Sequence, residues 1–229
     1  METKVYKTLA KVVGIVLLLL GIGVFAGGQF AGSFVSSQLS AQGITFPPVE
    51  AIEAQGEANG GPLTADDVAE MSKYAGQQMT TGAQAKAWAD NYIAAHMRGA
   101  AQRAGVPDEL ATFNGIGEYV DEVEAALTEK IKADNPDMSD DEISALVAAE
   151  EKNPQTTYAE AKQVSDLNSM KNGTFFQGNM IRGTLLSAYG WGLIGTIAKI
   201  AGIGLAVVGI LLAVYGFVAK PKKETYAAA

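Results

Sequence analysis

The sequence predicts an all-α fold in which two transmembrane helices flank an extracytoplasmic helical domain. Three observations predict it. A long uncharged apolar stretch stands near each end of the chain. The segment between them carries its apolar residues at helical spacing, with no sustained strand-type alternation. That segment is strongly acidic, whereas its flanks are basic. The 229 residues hold 17 Lys+Arg against 25 Asp+Glu, a net charge of −8. An acidic balance argues against nucleic acid as a partner, which needs a basic face to neutralise phosphates. With no cysteine, there is no disulfide scaffold, thiolate-bound zinc, iron–sulfur cluster or thiol nucleophile. One histidine cannot build a paired-histidine metal site, so no metal and no cofactor is expected.

The chain opens with a short basic tail, residues 1–11, carrying Lys4, Lys7 and Lys11. Residues 12–35 follow without a charge, and only Gln29 and Ser33 are clearly polar. About 20 such residues cross a hydrocarbon core of roughly 30 Å. A cleaved signal peptide is the rival reading, but the apolar run exceeds an h-region of about 7–15 residues. The second span is residues 200–219, bracketed by Lys199 and Lys220. Lys220, Lys222 and Lys223 make the C-terminal tail, 220–229, basic as well. Lysines near a span hold that end in the cytoplasm. Both tails therefore read as cytoplasmic, and residues 36–183 as extracytoplasmic in a plasma-membrane protein.

That outer segment holds 23 acids and 10 bases, a net of −13. Ser36 to Pro48 reads as a polar exit and Ala51 to Pro62 as loop. Thr64, with Asp66 and Asp67 after it, resembles a capping box, and Val68, Met71, Ala75 and Met79 recur at helical spacing. From Ala85 to Ala104, the residues Trp88, Ala89, Tyr92, Ile93, His96 and Ala100 share one helical face, closed by Gly105 and Pro107. Ile116, Tyr119, Val120, Val123, Leu127 and Ile131 form the clearest stripe, broken at Asn135-Pro136. Ser139 with Glu142 is an S-x-x-E capping box, and Asn153-Pro154 ends the helix that it starts. Residues 184–199 read as a juxtamembrane apolar helix. A single helix from Thr174 to Ala219 would run roughly 69 Å, about twice the bilayer.

Few residues carry a chemical signal. His96 reads as a hydrogen-bonded core histidine, since a catalytic base needs an orienting partner and a substrate-facing position. The acidic run from Asp134 to Glu142 lacks the ligand order of a calcium loop and contains the capping box. Contact with a partner or with lipid is expected at Gly23, Gly27, Gly28, Gly32, Tyr189, Trp191 and Lys199. Gly23/Gly27 and Gly28/Gly32 are G-x-x-x-G pairs, and Gly202/Ala206 is a similar pair in the second span. Tyr189 and Trp191 suit a membrane interface. Lys199 is the one charge between Gly183 and Ala219; it either snorkels to headgroups or meets a partner's acid.

Four stretches carry a family resemblance: Lys7-Thr8-Leu9-Ala10-Lys11, Asp90 to His96, Thr157-Tyr158-Ala159-Glu160 and Phe176 to Gly190. Together they resemble two-pass membrane proteins of actinobacteria, many of which are labelled aromatic ring-opening dioxygenases. Ring opening at non-haem iron uses two histidines and a carboxylate, and one histidine cannot supply them. The resemblance implies instead an accessory subunit of the cytochrome bcc–oxidase respiratory supercomplex. The leading expectation is thus a non-catalytic subunit whose partners are integral membrane subunits and membrane lipid. The alternative is an extracytoplasmic ligand-binding or sensor module anchored by two spans. Its weakness is that tails of eleven and ten residues hold no signalling domain. An enzyme restricted to carboxylates is the third reading.

Overall fold

The computed structural model describes residues 2–219; the last ten residues, with Lys220, Lys222 and Lys223, lie outside the described residues. The described chain consists of helices joined by turns and loops and contains no strand, only isolated bridges pairing Thr45 with Gln78 and Gly56 with Leu63. It divides into two compact units. One comprises Met1–Ile44, Thr80–Ala83 and Ser187–Ala229, and the other Thr45–Met79 and Gln84–Leu186. Two helices are long and apolar enough to cross a membrane, one near each end of the described chain.

The first is α1, Glu2–Ala41, 40 residues or roughly 60 Å. It neither begins at Val12 nor ends at Val35. Residues 2–11 contain no helix breaker, so the basic tail is the first turns of the helix. The polar exit after Val35 also stays helical as far as Ala41, and Gly43 just beyond it has a φ of +65° that suits a glycine stop. A membrane boundary is a change of solvent and need not coincide with a helix end.

The second unit starts from the Pro47-Pro48 pair. Pro48 is the N-cap of α2, Val49–Glu53, so the region expected as loop holds one short helix. Thr64 caps α3, Ala65–Ser72, with a complete capping box. The Asp67 carboxylate also accepts from Arg98 Nη2 at 2.7 Å, so this buried acid is fully engaged. Helix α3 stops before Ala75 and Met79, where the chain turns through Gly76 at φ +70°. Phe46 fills the space behind that turn. Its amide donates to Gln77 O, its carbonyl accepts from Gly76, and its ring meets Trp88 at 5.1 Å.

The expected helix from Ala85 to Ala104 is three pieces: α4, Gly82–Ala87, a π turn over Trp88–Ile93, and α5, Ala94–Arg103. The π turn adds one residue to the helical ladder, and this breaks the single apolar face. Trp88, Tyr92 and His96 stack in sequence at 4.4 and 4.3 Å and stay half-buried. Ala89, Ala95, Met97 and Ala101 turn inward. His96 is therefore not a core residue; its Nδ1 lies 2.8 Å from Tyr92 O, to which it donates.

Helix α6, Phe113–Asp134, buries the expected Ile116, Val120, Val123, Leu127 and Ile131. Helix α7, Asp140–Glu150, starts at the Ser139–Glu142 box. Helix α8, Ala159–Met170, has no counterpart among the expected elements, although Ala161, Val164 and Leu167 recur every third residue. These helices share two apolar clusters. Leu127, Ile131, Ile143, Val147 and Ala161 form one. Ile116, Val120, Val164, Leu167 and Phe175 belong to the other, with Met97 and Ala101 from α5. Burial of that kind contributes about 1.5–3 kcal/mol for each large side chain.

A second π turn, Lys171–Phe175, leads into α9, Phe176–Val218, 43 residues or roughly 65 Å. The juxtamembrane stretch 184–199 and the span 200–219 are therefore one uninterrupted helix. Within the second unit, Arg182 of α9 reaches the first π turn. Its Nε donates to Ala89 O at 3.0 Å and its Nη2 to Asp90 Oδ1 at 3.1 Å. Burial works against the Asp90 carboxylate, but the Lys86 and Arg182 hydrogen bonds and charges together outweigh it and hold its pKa below the ordinary value. The first of the two longest resembling stretches, Asp90 to His96, is thus tied to the second, Phe176 to Gly190, by an ion pair. Gly178 of the latter has no side chain because Met97 fills the place: a Cβ there would lie 2.4 Å from its sulfur.

Candidate functional site: two grooves beside a glycine seam

Within the first unit, α1 and α9 run antiparallel in backbone contact. A Cβ on Gly14 would lie 2.4 Å from Ala213 N and 2.7 Å from Gly209 O. One on Gly21 would lie 2.5 Å from Ala206 N, and one on Gly28 2.6 Å from Gly195 O. From the other side, Gly202 faces Phe25 and Gly21, Gly209 faces Leu18 and Gly14, and Gly216 faces Lys11 and Lys7. The seam glycines recur every seven residues, at 14, 21 and 28 on α1 and at 195, 202, 209 and 216 on α9. A seven-residue repeat keeps one face against a partner helix when two helices wind left-handedly. Without Cβ atoms the backbones approach closely, which is how helices pack in lipid.

The seam assigns places to the expected contact residues. Gly28 belongs to it. Gly23 and Gly27 do not: nothing lies within 4 Å of a Cβ built on either. The first G-x-x-x-G pair thus points away from α9, and the second is split between the seam and Lys199. Gly202 and Ala206 both lie in the seam.

Two grooves flank the seam. One is apolar, about 520 Å³, and lined by Gly27, Phe30, Phe34, Trp191, Ile194 and neighbours. Its rings are largely free: Phe30 is 73% exposed and Trp191 59%. The other is a polar cleft of about 780 Å³ with Lys199 as its one charged residue. Gln29, Ser33 and Ser36 line it from α1 and Tyr189 and Thr196 from α9. Gly82, of the Thr80–Ala83 segment, lies against Tyr189: a Cβ there would stand 2.9 Å from Tyr189 Cα. Lys199 runs along α1 beside two glycines. Its Cγ lies 2.9 Å from the Cβ position of Gly28 and its Nζ 3.8 Å from that of Gly32.

The candidates chosen from sequence therefore fall into two groups, Gly27, Gly28 and Trp191 at the apolar groove, and Gly32, Tyr189 and Lys199 at the polar cleft, with Gly23 at neither. Sequence reasoning missed the seven-residue glycine repeat and the polar stripe Gln29, Ser33, Ser36 and Ser40. Both were readable as spacing in otherwise apolar helices. In the stretch that leads towards the second span, Phe175 and Leu185 are buried at 1% and 5%, whereas Phe176 remains exposed. Compared with known proteins, the chain matches no family model, no curated protein and no solved structure.

Proposed function

We propose that this protein is a two-pass plasma-membrane subunit, without catalytic duty, of a larger membrane complex, its partners being integral membrane subunits of an actinobacterial respiratory supercomplex. One observation carries the reading. Gly27 and Trp191, chosen from sequence as partner contacts on separate grounds, line the same exposed apolar groove. Apolar patches with large exposed rings mark interaction sites, and a glycine without contacts leaves room for another helix to approach. The topology that goes with it has both tails cytoplasmic and residues 36–183 outside. It draws support from the helix ends: Lys7 Nζ donates to Ala219 O, and Lys11 Nζ lies 4.6 Å from the centroid of Phe217. Lysines of the first tail thus meet the far end of α9, as a two-span chain with both tails on one side requires.

The test is co-purification. Membranes solubilised in mild detergent are sized, and the chain should migrate with a larger assembly that absorbs as haem. Gly27→Leu and Trp191→Ala should each weaken that association, and removal of 139–152 should weaken it less. The reverse ranking would make the acidic helices the docking element and defeat this reading. A chain that migrates alone as monomer or dimer would favour the sensor reading.

A further inference from the structure

The polar cleft holds an unanswered charge. Lys199 is half-buried, and among the described residues no carboxylate pairs with it. Among the described residues, Glu2 is the one acidic residue of its own unit. Glu2 stands roughly 39 Å along α1 from Gly28, the seam residue beside Lys199. A cation in a membrane is costly unless it is paired or reaches the interface.

Depth follows from the seam. Lys7 and Lys11 mark one end of the helix pair, beside Gly216. Lys199 lies about 26 Å along α9 from Gly216, just short of a hydrocarbon thickness of roughly 30 Å. Its side chain extends from Gly28 towards Gly32 and so points away from the Lys7–Lys11 end. The ammonium therefore arrives at the opposite interface, at the depth of glycerol and phosphate groups. Donors surround it there. The Gln29 amide and the Ser33 and Ser36 hydroxyls line the cleft with no hydrogen-bond partner among the described residues. One cation with several neutral donors fits a singly charged phosphodiester, which offers oxygens to each.

We propose that this cleft is a binding site for the phosphate of an anionic phospholipid, with Lys199 as its ion-pair partner and Gln29, Ser33 and Ser36 as hydrogen-bond donors. The acyl chains of such a lipid lie along the apolar surface of the helix pair below it. The inference rests on the membrane-spanning part of the proposed function and is independent of any partner subunit.

The purified full-length chain is reconstituted in phosphatidylcholine vesicles with trace spin-labelled phosphatidylglycerol or phosphatidylcholine, and electron spin resonance reads the protein-associated fraction. Lys4, Lys7 and Lys11 also attract anionic lipid, so the decisive quantity is the difference between variants. Selectivity for phosphatidylglycerol should fall about fivefold in Lys199→Gln, the change that one lysine at an anionic surface provides. Lys199→Arg should keep most of it, and Ser33→Ala with Ser36→Ala should lose part, with helicity unchanged in all. Equal selectivity in the wild type and Lys199→Gln would overturn the site and leave Lys199 to a carboxylate of a neighbouring subunit. Excess inorganic phosphate, against chloride at matched ionic strength, should not displace the lipid; displacement would overturn the lipid as ligand in favour of a free anion. A chain that fails to float with vesicles would overturn the membrane reading itself, an outcome distinct from floating without selectivity.

Discussion

Replacing Gly21 by valine tests the seam directly, with Gly23→Val as its partner two residues away. At 21, the new Cβ would lie 2.5 Å from Ala206 N and 2.7 Å from Gly202 O. Comfortable carbon contacts begin near 3.5 Å, so α1 and α9 must part by about 1 Å at that point. The obstacle is backbone on both counts, and backbone in a helix cannot swing aside as a side chain can. A gap of that width forfeits a quarter to a half of the dispersion energy of the contacts around it. Overpacking of this kind costs about 1–3 kcal/mol, roughly a 5- to 150-fold change in the folding equilibrium. At 23, nothing lies within 4 Å, and an open surface position should stay within about 0.5 kcal/mol.

Trp88→Phe leaves Trp191 as the single tryptophan, and it lies in the unit that contains the seam. Its fluorescence in mixed micelles titrated with dodecyl sulfate then follows that unit alone. In this background Gly21→Val should lower the midpoint clearly and Gly23→Val hardly at all. A silent Gly21→Val, or equal shifts from the two changes, would refute backbone contact at this level of the seam.

Four further outcomes are expected. Asp90 has a depressed pKa in the folded chain, so its contribution to stability is full above the ordinary carboxylate value near 3.8 and is lost as pH falls through the lower, folded value; the acid-unfolding curve of Asp90→Asn should be flatter below about pH 4, and an unchanged slope would count against the Arg182 pair. Arg182→Lys keeps the charge but cannot serve Ala89 O and Asp90 together with the same fork; thermal unfolding followed by circular dichroism should show a loss of about 1 kcal/mol, and wild-type behaviour would count against the double contact. Single cysteines at Ser139 and Thr225, in a chain with no native cysteine, should divide in intact cells: an impermeant thiol reagent should label the first and spare the second, and labelling at 225 would reverse the topology. His96→Gln should leave complex-level activity intact with a stability loss of about 1 kcal/mol, and tightly bound stoichiometric iron that disappears with the change would show chemistry at this residue.

How far the fold is legible depends on whether an element's packing surface repeats with the helix. Helix α6 presents one unbroken stripe from Ile116 to Ile131, and of the residues named in it from sequence all are buried except the half-buried Tyr119. The caps at Thr64 and Ser139 are local chemistry, contained within four residues, and both form. The region from Trp88 to His96 is different. Its apolar residues fit one face of an ideal α-helix, but the π turn inserts a residue and sends Ala89 one way and Tyr92 another. Arg182 reaches Asp90 of that turn from 92 residues further along the chain, and no local pattern encodes a contact over that separation. Helix ends at Ser72 and Ala41 were displaced for a simpler reason. Apolar periodicity says where a helix buries itself, while Gly76 and Gly43, at positive φ, say where it stops.

The contact residues show the same limit in another form. Gly28 fits two patterns at once: with Gly32 it makes a four-residue spacing, and with Gly21 and Gly14 a seven-residue one. The four-residue spacing is the familiar mark of helices crossing in lipid at a right-handed angle, whereas the seven-residue spacing belongs to helices that wind together along their length. One helix read alone cannot choose between them. The choice appears when α9 is read beside α1, because 195, 202, 209 and 216 carry the same period in the antiparallel direction. With the seam occupying that face, Gly28 is spent inside the chain, and the glycines of α1 left for a partner are Gly23 and Gly27. The same register explains Lys199. It takes a seam position of the repeat, four after Gly195, where the pattern elsewhere places Ala206 and Ala213. A lysine fits there because Gly28 and Gly32 leave its methylenes a path along α1. The small residues that close the helix pair are thus also what lets a charge pass between the helices towards the interface.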